Sequence, residues 1–170
     1  MGVQNISSKS TTTFVHNFLA VFLTYLVGCT VSLLLSLVLN VSLGMMTFGN
    51  VNYHWWQVFF HNIIIVLVII FSGFLMSIPS FLLIFINGFI FGAVLGQSII
   101  SNQLLELVIS TLPHGIPEIT SFLIAGEISL SISKKIIRKN FQVTSSLLTK
   151  AVICILLILL ASILESVRVI

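Results

Sequence analysis

Charged side chains are scarce in this chain of 170 residues, where they make up 6% of the positions. The acidic ones are four glutamates, and the absence of aspartate excludes a catalytic aspartate pair. Hydrophobic residues fill 58% of the chain, and the mean hydropathy is +1.22. Because no water-soluble domain of this size exposes so apolar a surface, the composition predicts an integral membrane protein. A separate nucleotide-binding domain would not fit, so any ATP-driven step needs a partner.

Cysteine and recognised catalytic motifs are also scarce. Cys29 and Cys154 lie inside apolar runs, where a thiol behaves as a small hydrophobic side chain. We therefore expect neither a disulfide nor a thiolate metal site. The sequence contains no Gly-x-Ser-x-Gly nucleophile elbow and no His-Glu-x-x-His zinc motif. It predicts no metal and no cofactor.

Five apolar segments predict five transmembrane helices, since about 20 residues suffice for one crossing. They cover residues 18–43, 55–76, 81–96, 104–133 and 147–164. Tyr53, Trp55 and Trp56 resemble an aromatic belt at the start of the second segment, and a tight turn at Pro79 follows it. The predicted fold class is all-α, a multipass membrane helical bundle. Residues 1–17 form a polar amino-terminal segment, and residues 18–170 a single transmembrane domain.

Four of the seven basic residues are concentrated in one loop, at Lys134, Lys135, Arg138 and Lys139. The positive-inside rule predicts that this basic loop and Lys9 are both cytoplasmic, which five crossings allow. The carboxyl terminus then lies outside. Binding of anionic lipid or of an acidic partner is the alternative role for the loop, and nucleic acid is not an expected partner.

Small residues mark one face of the third segment, where Gly88, Gly92 and Gly96 recur at intervals of four. Such a face lets two helices approach closely. The interpretation leaves two alternatives, close packing within the chain or a homo-oligomer through these glycines.

Glu127, in the fourth segment, is expected to extend toward the cytoplasmic interface.

The fourth segment contains the sequence Pro-His-Gly-Ile-Pro-Glu, from Pro113 to Glu118. Proline removes a backbone donor and glycine relaxes the backbone, so we expect the fourth helix to be broken or re-entrant at Pro113 to Pro117. A re-entrant segment would invert the amino-terminal half of the protein. Ionisable residues inside a membrane are functional-site candidates by default, and here His114 and Glu118 occur together.

If the helix continues, His114 and Glu118 lie four residues apart on one face and can exchange a proton. Such a pair suits a relay, a gate or general acid–base catalysis, with Glu118 as base or acid and His114 as its partner. His61 is a further catalytic candidate, and Asn62 or Asn87 could orient a peptide carbonyl. The structural alternative is that Glu118 accepts hydrogen bonds from an opened backbone, which His114 caps. Metal binding is disfavoured because the pair supplies too few ligands.

The segment from residue 112 to 126 resembles the signature of the stage II sporulation protein M family of bacterial and archaeal membrane proteins. That signature is Pro-His-Gly, two residues, Glu, and an apolar stretch ending in Ala-Gly, which Ala125 and Gly126 supply here. The resemblance implies a protein of the bacterial cell membrane. In this family, the sporulation member belongs to an engulfment complex with peptidoglycan-degrading enzymes. Short stand-alone members accompany circular-bacteriocin genes, an ATPase subunit and small immunity proteins.

The length of the chain is similar to that of the short members, and the resemblance therefore implies three functions. The first is maturation of a hydrophobic circular bacteriocin, by leader removal and head-to-tail joining, or its export, together with an ABC-type ATPase subunit. In that case the protein could be an intramembrane peptidase or peptide cyclase. The second is a non-enzymatic scaffold or permease-like subunit that recruits an ATPase or a peptidoglycan-remodelling enzyme. The third is immunity by sequestration of the bacteriocin.

Overall fold

The computed structural model describes residues 2–39 and 54–167, with side chains from Thr12 onward within those ranges. Its five helices are α1, Gly2–Leu39; α2, Trp55–Phe71; α3, Ile78–Ile100; α4, Leu104–Ile137; and α5, Ser145–Val167. A short 3-10 helix, Ser72–Leu75, extends α2, and no strand occurs in the described ranges. Five helices are long and apolar enough to cross a membrane. The predicted all-α multipass bundle is confirmed.

Most of the predicted segments agree with the helices. Within the polar segment 1–17, residues from Gly2 onward already belong to α1, whose membrane-spanning part begins at Thr12. The end of the first predicted span, the loop at 44–53 and Tyr53 lie outside the described residues. The turn at Pro79 is present, because Met76 and Ser77 both have positive φ and reverse the chain before α3. Pro79 occupies the first turn of α3, where a missing backbone donor costs nothing.

Helices α1 and α3 pack backbone to backbone along the glycine face of α3. A Cβ atom placed on Gly88 would lie 2.2 Å from the carbonyl oxygen of Tyr25. One placed on Gly92 would lie 2.1 Å from the carbonyl oxygen of Cys29. Only glycine permits so close an approach, and the prediction of close packing within the chain is confirmed. Self-association stays a prediction, and it would need a surface other than the one that α1 covers.

Replacing Gly92 by alanine is therefore expected to destabilise the bundle by about 1–3 kcal/mol, because the added methyl group forces α1 and α3 apart. Equilibrium unfolding in mixed detergent micelles would measure the loss. Gly115→Ala is the matched control, since a Cβ atom there meets only the Thr111 methyl group at an ordinary 3.6 Å. An equal loss of stability in both variants would contradict the role assigned to the glycine face.

Helix α4 is a single helix with Pro113 and Pro117 inside it, so the predicted break and the re-entrant alternative are both wrong. Each proline removes one hydrogen bond, to the carbonyl group four residues earlier, and the glycine between them does not adopt a positive φ. An open break would expose many more backbone groups, which the hydrocarbon of a bilayer cannot satisfy. Neighbouring helices allow a membrane helix to keep its prolines, and α4 packs against all four others.

The described contacts show which ends of the helices lie together. The end of α4 meets the α2–α3 turn through the hydroxyl groups of Ser133 and Ser77, which are 2.8 Å apart. Lys134 donates a hydrogen bond to Asn17, near the start of the membrane-spanning part of α1. The basic loop, the α2–α3 turn and the start of α5 thus share one end of the bundle, which we call the basic end. The starts of α2 and α4 and the end of α5 lie at the other end.

Candidate functional site

A cavity of about 520 Å³ lies between α2, α4 and α5, in the half of the bundle away from the basic end. Its volume falls in the range of small-ligand sites. The residues that line it are Gln57, Val58, His61, Asn62, His114, Glu118 and Glu165. Four of the five site residues predicted from the sequence therefore meet in one place.

Helical spacing explains how each element contributes to the cavity. On α4, His114 and Glu118 are four residues apart in a continuous helix, so both face the same side. On α2, Gln57 and His61 have the same spacing. Asn62 is the next residue of α2 and is only 5% exposed, so its amide group lies at the inner wall. The pairing of imidazole and carboxylate thus depends on α4 remaining helical, not on its opening.

Asn87 is the one predicted site residue that does not line the cavity. Its side-chain amide donates a hydrogen bond of 2.9 Å to the carbonyl oxygen of Leu83, on its own helix α3. Helix α3 packs chiefly against α1, which keeps Asn87 away from the site. Of the two amides considered for orienting a carbonyl, Asn62 is the one placed to do so.

Three lining residues, Gln57, Val58 and Glu165, were not predicted as part of the site. Glu165 directly follows the last apolar segment, residues 147–164, which is a common place for a charge at the membrane surface. A signal for it did exist, since an ionisable residue inside a membrane helix is a site candidate by default, and Glu165 lies within α5. Nothing in the sequence states that the end of α5 faces α4 at Glu118.

The cavity offers proton-transfer and hydrogen-bonding groups. Among the residues that the structure describes, two carboxylates, two imidazoles and two amides line it, together with one valine. Within residues 2–39 and 54–167, no group of three His, Cys, Asp or Glu side chains has an arrangement that could hold a metal ion. General acid–base chemistry on a bound ligand is what these groups can perform.

Glu127 lies nine residues after Glu118 and belongs to a separate polar cluster, at the basic end. Its side chain is 1% exposed, so the expectation that it extends to the interface is wrong. Lys150 of α5 forms a 2.6 Å ion pair with its Oε2, and the Ser131 hydroxyl donates to its Oε1 at 2.8 Å. The amide of Asn17 on α1 also faces Oε1, at 3.5 Å. A buried carboxylate needs such partners, and here they join three helices.

Buried serines form a second polar contact near the same end, where α4 meets the end of α2. The hydroxyl of Ser129 lies 3.0 Å from that of Ser72 and donates to Ser77 at 3.0 Å. Ser133 donates to the Gly73 carbonyl oxygen at 2.9 Å. Because each hydroxyl finds a protein partner, this contact needs no water in a membrane.

The two ends of the Pro-His-Gly signature have different roles in this structure. His114 and Glu118 line the cavity, whereas the Ala-Gly end packs against neighbouring helices. A Cβ atom on Gly126 would lie 2.6 Å from Ile84 of α3 and 2.7 Å from Val21 of α1. Glycine thus lets three helices meet closely here, and an alanine would displace the side chains of Ile84 and Val21.

Comparison with known proteins gives one match. No curated protein and no solved structure matches the chain. The model of the family described as Stage II sporulation protein M matches residues 49–167, which is more than half of the chain. The match spans α2 to α5 and every residue that lines the cavity. The chain therefore belongs to the Stage II sporulation protein M family, and it is a multipass membrane protein whose described residues include five apolar helices.

Proposed function

We propose that the protein is a membrane subunit that matures or exports a hydrophobic circular bacteriocin, together with an ABC-type ATPase subunit. The observation that carries the proposal is the cavity, where His61, Asn62, His114 and Glu118 come together from two helices. Membership of the family, some members of which accompany circular-bacteriocin genes, adds support. A hydrophobic peptide can approach such a site within the membrane, because apolar helix faces surround it.

The chemistry of the proposal uses the lining side chains directly. Glu118 accepts the proton of the water or amine that attacks a peptide carbonyl carbon. Asn62 donates a hydrogen bond to the oxygen of that carbonyl, on which negative charge develops. His114 exchanges a proton with Glu118 and so returns the carboxylate to its starting state. In leader removal, water adds to the carbonyl carbon, the peptide bond to the leader breaks, and the departing amine takes up the proton from His114. In ring closure, that amine attacks the carboxyl carbon at the other end of the peptide, a peptide bond forms, and the carboxyl oxygen leaves as water with the proton that Glu118 accepted.

The positive-inside rule supports an orientation for this site. With the basic loop in the cytoplasm, the cavity lies in the outer half of the membrane of a bacterial cell. The ATPase subunit then meets the protein at the basic end, and the peptide meets it at the cavity. ATP hydrolysis at the basic end then either changes the helix bundle around the bound peptide, or it takes place in a separate step before or after the reaction at the cavity.

Reconstitution tests the proposal. The purified protein would be placed in lipid bilayers with a candidate precursor peptide, with and without the ATPase subunit. Mass spectrometry would follow removal of the leader and the loss of water that marks ring closure. We expect one of these products, or movement of the peptide across the bilayer, only when the protein is present. A precursor that stays unchanged and on its original side would contradict the proposal.

A non-enzymatic scaffold is the second candidate, and the exposed part of the basic loop favours it. Arg138 and Lys139 are exposed at the end of α4, whereas Lys135 donates to the Gln142 carbonyl oxygen. Exposed cations of this kind attract an acidic face on a partner. The scaffold would recruit an ATPase or a peptidoglycan-remodelling enzyme.

Charge reversal at Arg138 and Lys139, each changed to Glu, is expected to lower co-purification of the partner about tenfold, because attraction becomes repulsion. Changing the same two residues to Gln is the matched control and should give a smaller loss. Quantitative mass spectrometry of the purified complex measures both. Equal recovery from all three proteins would count against docking through this loop.

A further inference from the structure

The four glutamates of the chain differ in what surrounds them. Glu106 is exposed in the first turn of α4, and Glu127 is buried with Lys150 as its ion-pair partner. Glu118 and Glu165 line the cavity together, and no lysine or arginine is among the described residues that line it with them. Among the described residues, Glu127 thus has a cationic partner, whereas Glu118 and Glu165 line one cavity without a lysine or arginine.

Two carboxylates that share one site repel each other, and a cation placed between them relieves this repulsion. The other polar groups of the cavity fit the same interpretation. A neutral imidazole has one acceptor nitrogen, and the side-chain amide of Asn62 has an acceptor oxygen. The side-chain oxygen of Gln57 already accepts a hydrogen bond of 3.1 Å from the backbone N–H of His54. The cavity therefore combines two negatively charged carboxylates with further hydrogen-bond acceptors. A cationic ligand group that donates hydrogen bonds needs both.

The size of the cavity indicates which kind of cation it suits. At about 520 Å³ it has the volume of a small organic ligand, far more than a bare ion fills. Its described residues also lack a three-ligand metal arrangement. A primary ammonium group carries three donors, which carboxylates from opposite walls can share.

We propose that this cavity binds the primary ammonium group of a hydrophobic ligand between Glu118 and Glu165. The inference rests on the proposed function for the source of that group, which is the free amino end of a peptide or a lysine side chain. Glu165 then acts as a binding residue that selects for positive charge. Glu118 has two uses, since it also faces His114 within the same cavity.

Ligand binding to the full chain in lipid nanodiscs would test the proposal. The probes are trileucine amide with a free amino end, the same peptide acetylated, and acetyl-Leu-Lys-Leu-amide. Decylammonium and decanol form a non-peptide pair. Trp55 and Trp56 are the two tryptophans of the chain and immediately precede Gln57, a lining residue, so we expect their fluorescence to change when a ligand binds. Nanodiscs without the protein give the partition into lipid, which is subtracted. The protein in which Glu118 and Glu165 are both Gln then shows which binding needs the two carboxylates.

We expect free trileucine amide to bind about tenfold or more tightly than its acetylated form, because a charge-assisted pair is lost on acetylation. Glu165→Gln should remove most of that difference. Glu106→Gln is the matched control, since this glutamate lies outside the cavity, and it should leave binding unchanged. If acetyl-Leu-Lys-Leu-amide binds through the same glutamates, a lysine side chain can supply the ammonium group. If it does not bind and free trileucine amide does, the ammonium group is the amino end of the peptide.

The other outcomes separate this inference from the proposed function. If acetylated and free peptides bind equally, the cavity is a peptide site and the ammonium inference is overturned. If decylammonium binds through Glu118 and Glu165 and no peptide does, the result supports the ammonium site and contradicts the proposed function in peptide maturation or export. No binding of any amine, or binding that survives in Glu165→Gln, would overturn the inference directly.

Discussion

Replacing Lys150 by methionine is expected to lower the free energy of unfolding by about 3–5 kcal/mol, since it leaves the buried Glu127 carboxylate without its cation. Lys150 reaches Glu127 at 2.6 Å while its ammonium group also lies 4.4 Å from the centre of the Phe14 ring. The remaining partners of Glu127 donate hydrogen bonds and carry no charge. Equilibrium unfolding in mixed detergent micelles, compared with the unchanged protein, gives the difference.

The double variant Lys150→Met with Glu127→Gln is the informative control. Removing both charges together is expected to recover most of the lost stability, because a buried ion pair contributes little net free energy over a neutral pair of similar volume. Lys139→Met removes the same charge from an exposed site and should change stability by less than about 0.5 kcal/mol. A double variant as unstable as Lys150→Met alone would show that lysine packing, not the ion pair, sets the stability.

Replacing Glu118 by glutamine is expected to reduce the mature circular peptide by at least about a hundredfold, the usual contribution of a general acid–base group. The change keeps the shape of the side chain and one acceptor oxygen, so the bundle should still fold. What it removes is the ability to accept a proton beside His114. Mass spectrometry of peptide from producing cells gives the yield, and immunoblotting of membranes gives the amount of protein.

Two further variants show whether that effect belongs to the cavity. Asn87→Ala alters an amide that lies outside it and should leave the yield unchanged. His114→Ala should reproduce the defect, at least in part, if the two residues exchange a proton. A normal yield of circular peptide from Glu118→Gln would remove the catalytic version of the proposed function and favour the scaffold.

Hydropathy and helical spacing were sufficient to predict the five helices and most of the site. Apolar runs long enough to cross a bilayer have few alternatives to a helix, because their backbone groups must bond within the segment. The spacing of four between His114 and Glu118 then puts both on one face, provided that the helix continues. The glycine interval on α3 likewise predicted close packing, which the contact of Gly92 with α1 confirms.

Contacts between distant segments were beyond such reasoning. The sequence does not show that Glu165, near the end of α5, faces α4 across a cavity. Nor does it show that Lys150 turns inward to meet Glu127, since a lysine at the start of a membrane helix commonly extends to the interface. The break at Pro113 to Pro117 was predicted from local rules, and the packing of α4 among four other helices overrode them.

The order of the helices along the chain differs from their order in space, and this has a consequence for how the protein is made. The backbones of α1 and α2 do not come within 8 Å of each other anywhere in the described residues, while α1 packs closely on α3. Because α1 precedes α3 in the chain, we expect α1 to enter the bilayer before the helix that it packs against has been made. Slow translation after α2 would lengthen the time before α3 is inserted. During that time the face of α1 that later packs on the glycines of α3 would be open to other membrane proteins or to the cell's quality control.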